Sequence, residues 1–318
     1  MVVEDITLES VQQARQRVQP YIRQTPFLQC HHQHYPLPNS SNITFKLECL
    51  QVTGSFKVRG ALNKLFSLPE EKQQHPLFAA SGGNHGLAVA YAGYIKKLPT
   101  TIYLPESTDR RKVEKIKNWG AKVALAGHDI KEAIEIAQVA ARSEKAIYIH
   151  PFADPDVIRG QGTLGLDIME ALPDLDVLIV AMGGGGLIGG VGSIAKILNP
   201  SIKIIGVEPE TYPTLTESLR AGRVVTLERR PTVAVTLAVL ETSLLNLALA
   251  QKVVDQTILV TEEEIIQGAQ WLWREFSVAA EYSGAAALSA LVARKVTIQP
   301  NQKACVIICG AGSDGISL

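Results

Sequence analysis

Short apolar stretches rich in β-branched residues alternate along the chain with longer segments whose apolar positions recur at helical spacing. Eight of the short stretches have the length and composition of strands. They are ITFKLE (43–48), PLFAAS (76–81), TTIYLP (100–105), AKVALA (121–126), IYIH (147–150), VLIVAM (177–182), IKIIGVE (202–208) and ACVIICG (304–310). Because most of them precede a helical segment, the pattern predicts an α/β fold with parallel sheets.

The order of these elements also predicts two domains. Residues 76–149 contain three strand-helix alternations of their own, whereas a glycine-rich loop and the last strand come later. We therefore expect a small domain, residues 76–149, inserted into a large domain formed by residues 1–75 and 150–318. Within the large domain, Thr261 followed by Glu264 predicts a helix start with a capping box.

Composition narrows the class of function. The 318 residues carry 31 basic and 31 acidic side chains, so no overall field recruits nucleic acid or an anionic membrane. The first residues lack a signal-peptide pattern, and no stretch approaches the roughly 20 apolar residues that span a bilayer, so we expect a cytoplasmic protein. The four cysteines form no CxxC pair, which favours reduced, mostly buried thiols. A small, locally held ligand is the expected partner.

The first candidate site is the segment TGSFKVRG (53–60), a tight turn that feeds a helix. Ser55 is a candidate cap for that helix. Lys57 lies in its first turn, where the positive end of the helix dipole disfavours an ammonium group and lowers the pKa of the amine. A Schiff-base lysine needs a low pKa, since only a neutral amine attacks a carbonyl. A solvated surface lysine is the alternative.

The second candidate site, SGGNHG (81–86), follows a predicted strand and precedes a helix. Its small residues allow a ligand to approach the backbone. Ser81 and Asn84, with exposed amides at a helix N-terminus, are suited to a carboxylate and a phenolic oxygen. A polar turn that only caps a helix is the alternative.

The third candidate site is the series Gly183 to Gly186, between an apolar strand and a helix. Consecutive glycines can direct several N–H groups at one phosphate. The same region fits G-x-G-x-x-G, and Glu208 ends the next strand roughly 20 residues later, as in a dinucleotide fingerprint. A nicotinamide-binding oxidoreductase is therefore a competing hypothesis.

The fourth candidate site is the end of the last strand, CVIICGAGSD (305–314). Its small and polar residues are expected at the carboxyl edge of a parallel sheet, where ligands collect. Cys305 is interpreted as a buried thiol, while Cys309, next to the glycines, is better placed to contact a ligand.

Together, SFKVRG (55–60), SGGNHG (81–86) and Gly183 to Gly186 resemble the fold-type II pyridoxal-phosphate family, in its group of serine/threonine dehydratases and serine racemases. Their order and spacing match across nearly the whole chain. Further resemblances are KVEKI (112–116), GQGT (160–163), VEP (207–209) and Glu281. The resemblance implies two open, twisted, mainly parallel sheets flanked by helices, as in tryptophan synthase β, and it outweighs the dinucleotide interpretation.

The resemblance also implies the roles of individual residues. It makes Lys57 the Schiff-base lysine and the base that removes the Cα proton, with Phe56 against the ring of pyridoxal 5'-phosphate. It implies that Asn84 contacts the 3-hydroxyl of the cofactor and that Cys309 lies near its pyridine nitrogen. The remaining implied contacts are with the cofactor phosphate, by Gly183, Gly184, Gly185, Gly186 and Leu187, and with the substrate, by Ser81, Gly82, Gly83, Asn84 and His85.

The activity implied is elimination of water from L-threonine or L-serine, which yields a 2-oxo acid and ammonia. A neutral thiol beside the pyridine nitrogen favours β-elimination over transamination. Serine racemases of the family carry a serine, a second base, where this chain has Gly82, so efficient racemisation is not expected. Thr214 replaces an acidic ligand of cation-activated members, which leaves Glu208 as a possible metal ligand.

Four alternatives to this activity remain open at this point, and the nicotinamide-binding oxidoreductase is the one outside the family. Within the family they are 3-hydroxyaspartate dehydratase and serine racemase. The pair Val235 and Thr236 replaces an Asp-Gly pair of the family, which raises the possibility of a catalytically silent cofactor-binding protein. A homodimer is usual in the family and is expected here.

Overall fold

The computed structural model describes residues 5–108 and 110–316. The strands are β1 (Phe27–Gln29), β2 (Ile43–Lys46), β3 (Leu77–Ala80), β4 (Thr100–Leu104), β5 (Lys122–Leu125), β6 (Ile147–Tyr148), β7 (Val177–Ala181), β8 (Lys203–Pro209), β9 (Gln256–Val260) and β10 (Ala304–Ile307). The α-helices are α1 (Leu8–Val18), α2 (Lys57–Ser67), α3 (Asn84–Lys96), α4 (Arg110–Lys117), α5 (Ile130–Ser143), α6 (Pro155–Ala171), α7 (Gly186–Leu198), α8 (Thr214–Ala221), α9 (Leu244–Val253), α10 (Glu262–Phe276) and α11 (Tyr282–Val292).

The strands form two sheets, as the pattern predicts. The larger sheet has the order β1-β2-β10-β7-β8-β9, and only the pairing of β1 with β2 is antiparallel. The smaller sheet, β5-β4-β3-β6, is parallel throughout. All eight predicted strands are present, and the predicted α/β fold with mainly parallel sheets flanked by helices is confirmed.

Two strands were not predicted from the sequence. β1 is three residues long, too short to give a pattern, and β9 lies at the edge of the larger sheet with only Val260 fully buried. An edge strand covered on part of its surface carries a weak apolar signal.

The strands of the smaller sheet all lie within residues 76–149, although its hydrophobic core extends beyond them. Val58, Leu62 and Leu65 of α2 pack into the same buried cluster as Leu77 and Ile102. Helix α2, which begins with Lys57, therefore lies between the two sheets. The domain boundaries remain a prediction.

Local features of the sequence are mostly realised in the fold. Thr261 and Glu264 form the predicted capping box at the start of α10. All four cysteines are buried and free. Among the described residues, none of the helices has the length and apolarity needed to cross a bilayer.

Candidate active site

Lys57 is held between the end of β10 and the segment that follows β6. The backbone before it pairs with the residues after β10, through Phe56 N–H to Cys309 O (3.3 Å) and Ala311 N–H to Gly54 O (2.8 Å). Its Nζ donates to Pro151 O at 2.8 Å and lies 5.2 Å from the centre of the Phe56 ring. The SFK segment thus brings the amine next to the thiol of Cys309.

The environment of Lys57 lowers its pKa from 10.5 to about 8. Burial is the largest cause, because an ammonium group loses its hydration there, while Cys309 and Glu281 act in the opposite direction. The lowered pKa has the direction expected from the sequence, although the sequence argument named the helix dipole and not burial as its cause. A substantial neutral fraction near pH 8 suits an amine that attacks a carbonyl.

Ser55 does not cap α2, so that prediction was wrong. Phe56 occupies the N-cap position, and Ser55 is extended, with φ −161° and ψ 162°. This extended conformation lets Ser55 form a β-bridge with Gly310. Its hydroxyl is buried and has no partner among the described residues, so it remains free for a group that the chain itself does not supply.

A buried ion cluster fixes α2 in the large core. The Arg59 guanidinium forms a two-point contact with Glu48, at 2.9 Å for both N–O pairs, and a third bond to Asp167 at 2.8 Å. Thr25 donates to the same Glu48 carboxylate. Because Arg59 is two residues from Lys57, this cluster fixes the position of the amine.

The turn after β3 is tied to the large domain through Asn84. Its Nδ2 donates to Glu281 Oε1 at 2.7 Å. Ser81 Oγ accepts the Gly83 N–H at 3.2 Å, so the hydroxyl already helps to form the turn. A Cβ at Gly86 would lie 2.1 Å from Ser81 O, which explains the glycine there. Gly82 differs, since its nearest neighbour, Leu104, would be 3.5 Å from a Cβ.

The ring of His85 points into the protein. It is 3% exposed, and Nε2–H donates to Ile149 O at 2.8 Å. Burial, with a smaller effect from Lys57, lowers its pKa to about 3, so the imidazole is neutral. Any contact of His85 with a substrate therefore has to come from its backbone.

The glycine series forms the turn between β7 and α7. Gly183 and Gly185 have φ of +54° and +90°, which favour glycine. A Cβ at Gly184 would lie 2.6 Å from the Phe152 ring, and one at Gly186 would lie 2.9 Å from Phe152 Cβ. Phe152 follows Pro151, the partner of the Lys57 amine, and therefore links the lysine to this loop.

The chemistry of the glycine loop fits an anion. Helix α7 starts at Gly186, and the amides of a first helical turn have no partner within the helix. The Gly184 carbonyl is held on the other side by Asn246 Nδ2 and, at 3.1 Å, by Thr242 Oγ1. Leu187 is buried, so only its backbone can contribute. The loop therefore has the backbone donors of an anion site at a helix N-terminus.

Cys309 presents a neutral thiol beside the lysine. It is 5% exposed, and burial raises its pKa well above the ordinary value, with Glu281 acting in the same direction. Its Sγ contacts Ser283 O at 3.9 Å. A neutral partner for the pyridine nitrogen, as the resemblance implies, is therefore compatible with this site.

Glu208 has a structural contact that the sequence did not suggest. It is fully buried and accepts from Leu215 N–H (3.0 Å), Thr216 N–H (2.9 Å) and Thr216 Oγ1 (2.8 Å), at the start of α8. Burial raises its pKa to about 7, against the effect of these bonds. Both oxygens are thus engaged by α8. In the described ranges, no group of three or more His, Cys, Asp or Glu side chains could hold a metal.

Sequence reasoning missed residues that complete the site from distant parts of the chain. Phe152 and Asn246 shape the glycine loop, and Ser283 contacts Cys309. Thr236 was noted only as a departure from the family, yet its hydroxyl donates to Glu281 at 2.8 Å. The GGGG series was the one sequence signal for such residues, because glycines lack a Cβ and leave room for a side chain from elsewhere in the chain.

Comparison with known proteins agrees with this geometry. A family model for "Pyridoxal-phosphate dependent enzyme" matches residues 18–310. An L-threonine ammonia-lyase of Thermotoga maritima is 40% identical over 309 residues, which are 97% of this chain and 76% of that protein. A serine racemase of Oryza sativa subsp. indica is 33% identical over 283 residues, 89% of this chain and 83% of that protein.

Solved structures show the same similarity. Maize serine racemase superposes with a TM-score of 0.88 at 31% identity, covering 97% of this chain and 94% of that one. A threonine deaminase of T.th. gives a TM-score of 0.87 at 30% identity, covering 96% of this chain and 98% of that one.

The competing dinucleotide hypothesis loses its support at Glu208. The hypothesis requires this carboxylate to accept a ribose hydroxyl, whereas both oxygens are buried against α8. The lysine, the glycine loop and the neutral thiol instead form one site. With the match over residues 18–310, this site places the chain in the family of pyridoxal-phosphate dependent enzymes.

Proposed function

We propose that this chain is an ammonia-lyase that eliminates water from L-threonine or L-serine and yields a 2-oxo acid and ammonia. The observation that carries the proposal is the pairing of a partly buried lysine, whose pKa is about 8, with a neutral buried thiol. When bound, pyridoxal phosphate supplies the electron sink that makes the Cα proton of an amino acid removable.

The residues of the chain hold this cofactor at four points. Backbone amides within Gly183 to Leu187 bind the phosphate, apart from that of Gly185, which donates to Met182 O at 3.1 Å. The Phe56 side chain packs against the ring. Cys309 offers a neutral group to the ring nitrogen, and Asn84, fixed by Glu281, faces the 3-hydroxyl. Two observations support these contacts: the backbone donors and the space in the glycine loop fit a phosphate, and the sequence motifs resemble those of the family.

Lys57 carries the cofactor and moves the proton. In the neutral form, its Nζ takes the Cα proton of the substrate, and Pro151 O orients the amine. The turn of Ser81, Gly82, Gly83, Asn84 and His85 binds the substrate carboxylate through backbone amides at the start of α3. The β-hydroxyl then leaves as water, and the proton that Lys57 took balances the proton that this leaving group gains. The released enamine tautomerises to an imine, which a water molecule hydrolyses to the 2-oxo acid and ammonia.

Two members of the same family are alternatives. A serine racemase needs a second base on the face opposite Lys57, and Gly82 has no side chain to supply one. A 3-hydroxyaspartate dehydratase needs a partner for a second carboxylate, and Lys112 is the cation nearest to Gly82, with Cδ 4.0 Å from the position of a Cβ there. We further propose a homodimer in the cytoplasm.

A two-part experiment tests the function. The purified protein should show an absorbance band near the visible edge that borohydride removes and that Lys57→Ala lacks. A coupled assay of 2-oxo acid release then compares L-threonine, L-serine and 3-hydroxyaspartate. Release from L-threonine or L-serine is expected, and a coloured protein without turnover on any of the three contradicts the proposal.

A further inference from the structure

A short 3-10 turn, Val235–Leu237, reaches both loops of the site from the segment between α8 and α9. Leu237 packs on the glycine loop, since a Cβ at Gly183 would lie 3.0 Å from its Cδ2. Thr236 packs on the turn after β3, since a Cβ at Gly83 would lie 3.2 Å from its Cγ2. The turn therefore forms a wall that spans the phosphate loop and the substrate turn.

Thr236 is exposed on this wall and makes two polar contacts. Its backbone N–H donates to Ser283 Oγ at 3.1 Å, and its hydroxyl donates to Glu281 Oε1 at 2.8 Å. The same oxygen of Glu281 accepts from Asn84 Nδ2 at 2.7 Å. One carboxylate oxygen thus joins Thr236 to the side chain that faces the cofactor.

We propose that Thr236 is a specificity-determining and positioning residue of this site. Its methyl group limits the space above Gly83 and so selects substrates with small β-substituents. Its hydroxyl holds Glu281, which in turn fixes the amide of Asn84. The size limit rests on the proposed function, because it concerns the substrate. The positioning role concerns cofactor binding alone.

The size limit follows from the contact with Gly83. The Cγ2 of Thr236 stands at contact distance from the turn that binds the substrate carboxylate. A substituent that extends from the substrate toward this wall meets that methyl group first. A pocket discriminates by roughly tenfold or more for each methylene that it cannot accommodate.

The positioning role follows from the surroundings of Glu281. Burial raises the pKa of this carboxyl, and the bonds from Thr236 and Asn84 lower it. Among the charged groups around it, Asp314 raises the pKa and Lys112 lowers it. Lys57 also interacts with it. Loss of the Thr236 donor moves the titration of Glu281 to higher pH and frees Asn84 to rotate.

Three variants separate the two roles. Thr236→Ser keeps the hydroxyl and removes the methyl group, Thr236→Val keeps the shape and removes the donor, and Thr236→Gly removes both. Thr226→Val is the matched control, because Thr226 is also exposed and makes the same kind of bond to Glu241 in the same segment, but it lies outside the site.

For the size limit, the measurement is kcat/KM for 3-phenylserine relative to L-serine. We expect this ratio to rise roughly tenfold in Thr236→Ser and Thr236→Gly and to stay unchanged in Thr236→Val and the control. A ratio equal to that of the wild type in both Ser and Gly variants overturns the size limit.

For the positioning role, the measurements are the dissociation constant of pyridoxal phosphate and the pH dependence of its absorbance band. Thr236→Val should bind the cofactor at least fivefold more weakly than Thr226→Val does. The acidic limb of the pH dependence of its absorbance band should also lie at higher pH. Thr236→Ser should match the wild type in both measurements. A Thr236→Val that behaves like the control overturns this role. If the wild type turns over no hydroxy amino acid, the proposed function fails, and this measurement still decides the role of Thr236.

Discussion

The low pKa of Lys57 predicts a specific pH dependence of the stability of the cofactor-free protein. The amine has a pKa of about 8 in the folded chain and 10.5 as its ordinary value. Below pH 8 it is charged in both states, so the folded state carries the full cost of burying an ammonium group. Between pH 8 and 10.5 the unfolded chain binds more protons, so the stability rises with pH and the cost is relieved.

The size of the effect follows from the two values. Each pH unit corresponds to about 1.36 kcal/mol, which sets the full cost at no more than about 3 kcal/mol. The same difference raises the neutral fraction at pH 7 from about one in 3,000 to about one in ten, a gain of roughly 300-fold for an amine that has to react as the free base.

Chemical denaturation of cofactor-free wild type and Lys57→Met, from pH 7 to 10.5, measures the effect. Methionine keeps most of the stem and removes the charge, so other titrating groups cancel in the difference. The difference in the free energy of unfolding, variant minus wild type, should be larger at pH 7 than at pH 10.5 by up to about 3 kcal/mol. The lost bond to Pro151 O adds only a constant offset. A difference that does not change with pH refutes burial as the cause of the low pKa.

Three further variants test other parts of the site. Gly184→Ala should lower cofactor affinity at least tenfold in spectral titrations, because its Cβ would overlap the Phe152 ring at 2.6 Å; affinity equal to the wild type contradicts the tight packing of the loop. Gly82→Ser has room for its Cβ and should produce D-serine from L-serine in a chiral assay. The absence of D-serine would contradict the placement of residue 82 on the substrate face opposite Lys57. Arg59→Met leaves the buried Glu48 without its two-point guanidinium partner, although the charge of Lys46 still acts on it, and should cost up to about 3–5 kcal/mol in denaturation experiments. Arg59→Met with Glu48→Gln should recover part of this loss, and equal losses would argue against the ion cluster.

Sequence patterns predicted the elements that carry local signals. Strands such as β7 and β10 are buried along their whole length and give continuous apolar runs, and Gly183 to Gly186 mark the turn between β7 and α7. The β9 strand escaped prediction because an edge strand has a partly exposed, mixed composition.

Such local patterns did not predict the long-range contacts in the site. The expected cap at Ser55 failed because the end of β10 pairs with this residue and holds it extended, which no local signal reveals. Asn246 reaches Gly184 across 62 positions, and Thr236 reaches Glu281 across 45. Contacts of this kind depend on the packing of the whole domain, so the residues that make them can be identified only once the fold is known.

The neutrality of the groups around Lys57 explains how one amine can be both carrier and base. His150 Nδ1 accepts the N–H groups of Phe152 and Ala153, so this nitrogen carries no proton, and burial lowers the pKa of the ring to about 4. His85 is neutral as well, and Cys309 remains a thiol. A carboxylate in contact with the amine would stabilise the ammonium form and raise its pKa. Here Glu281 accepts from Thr236 and Asn84 with one oxygen and only partly offsets the effect of burial on Lys57. The Lys57 amine donates to a carbonyl, so burial prevails and the free base is accessible near neutral pH.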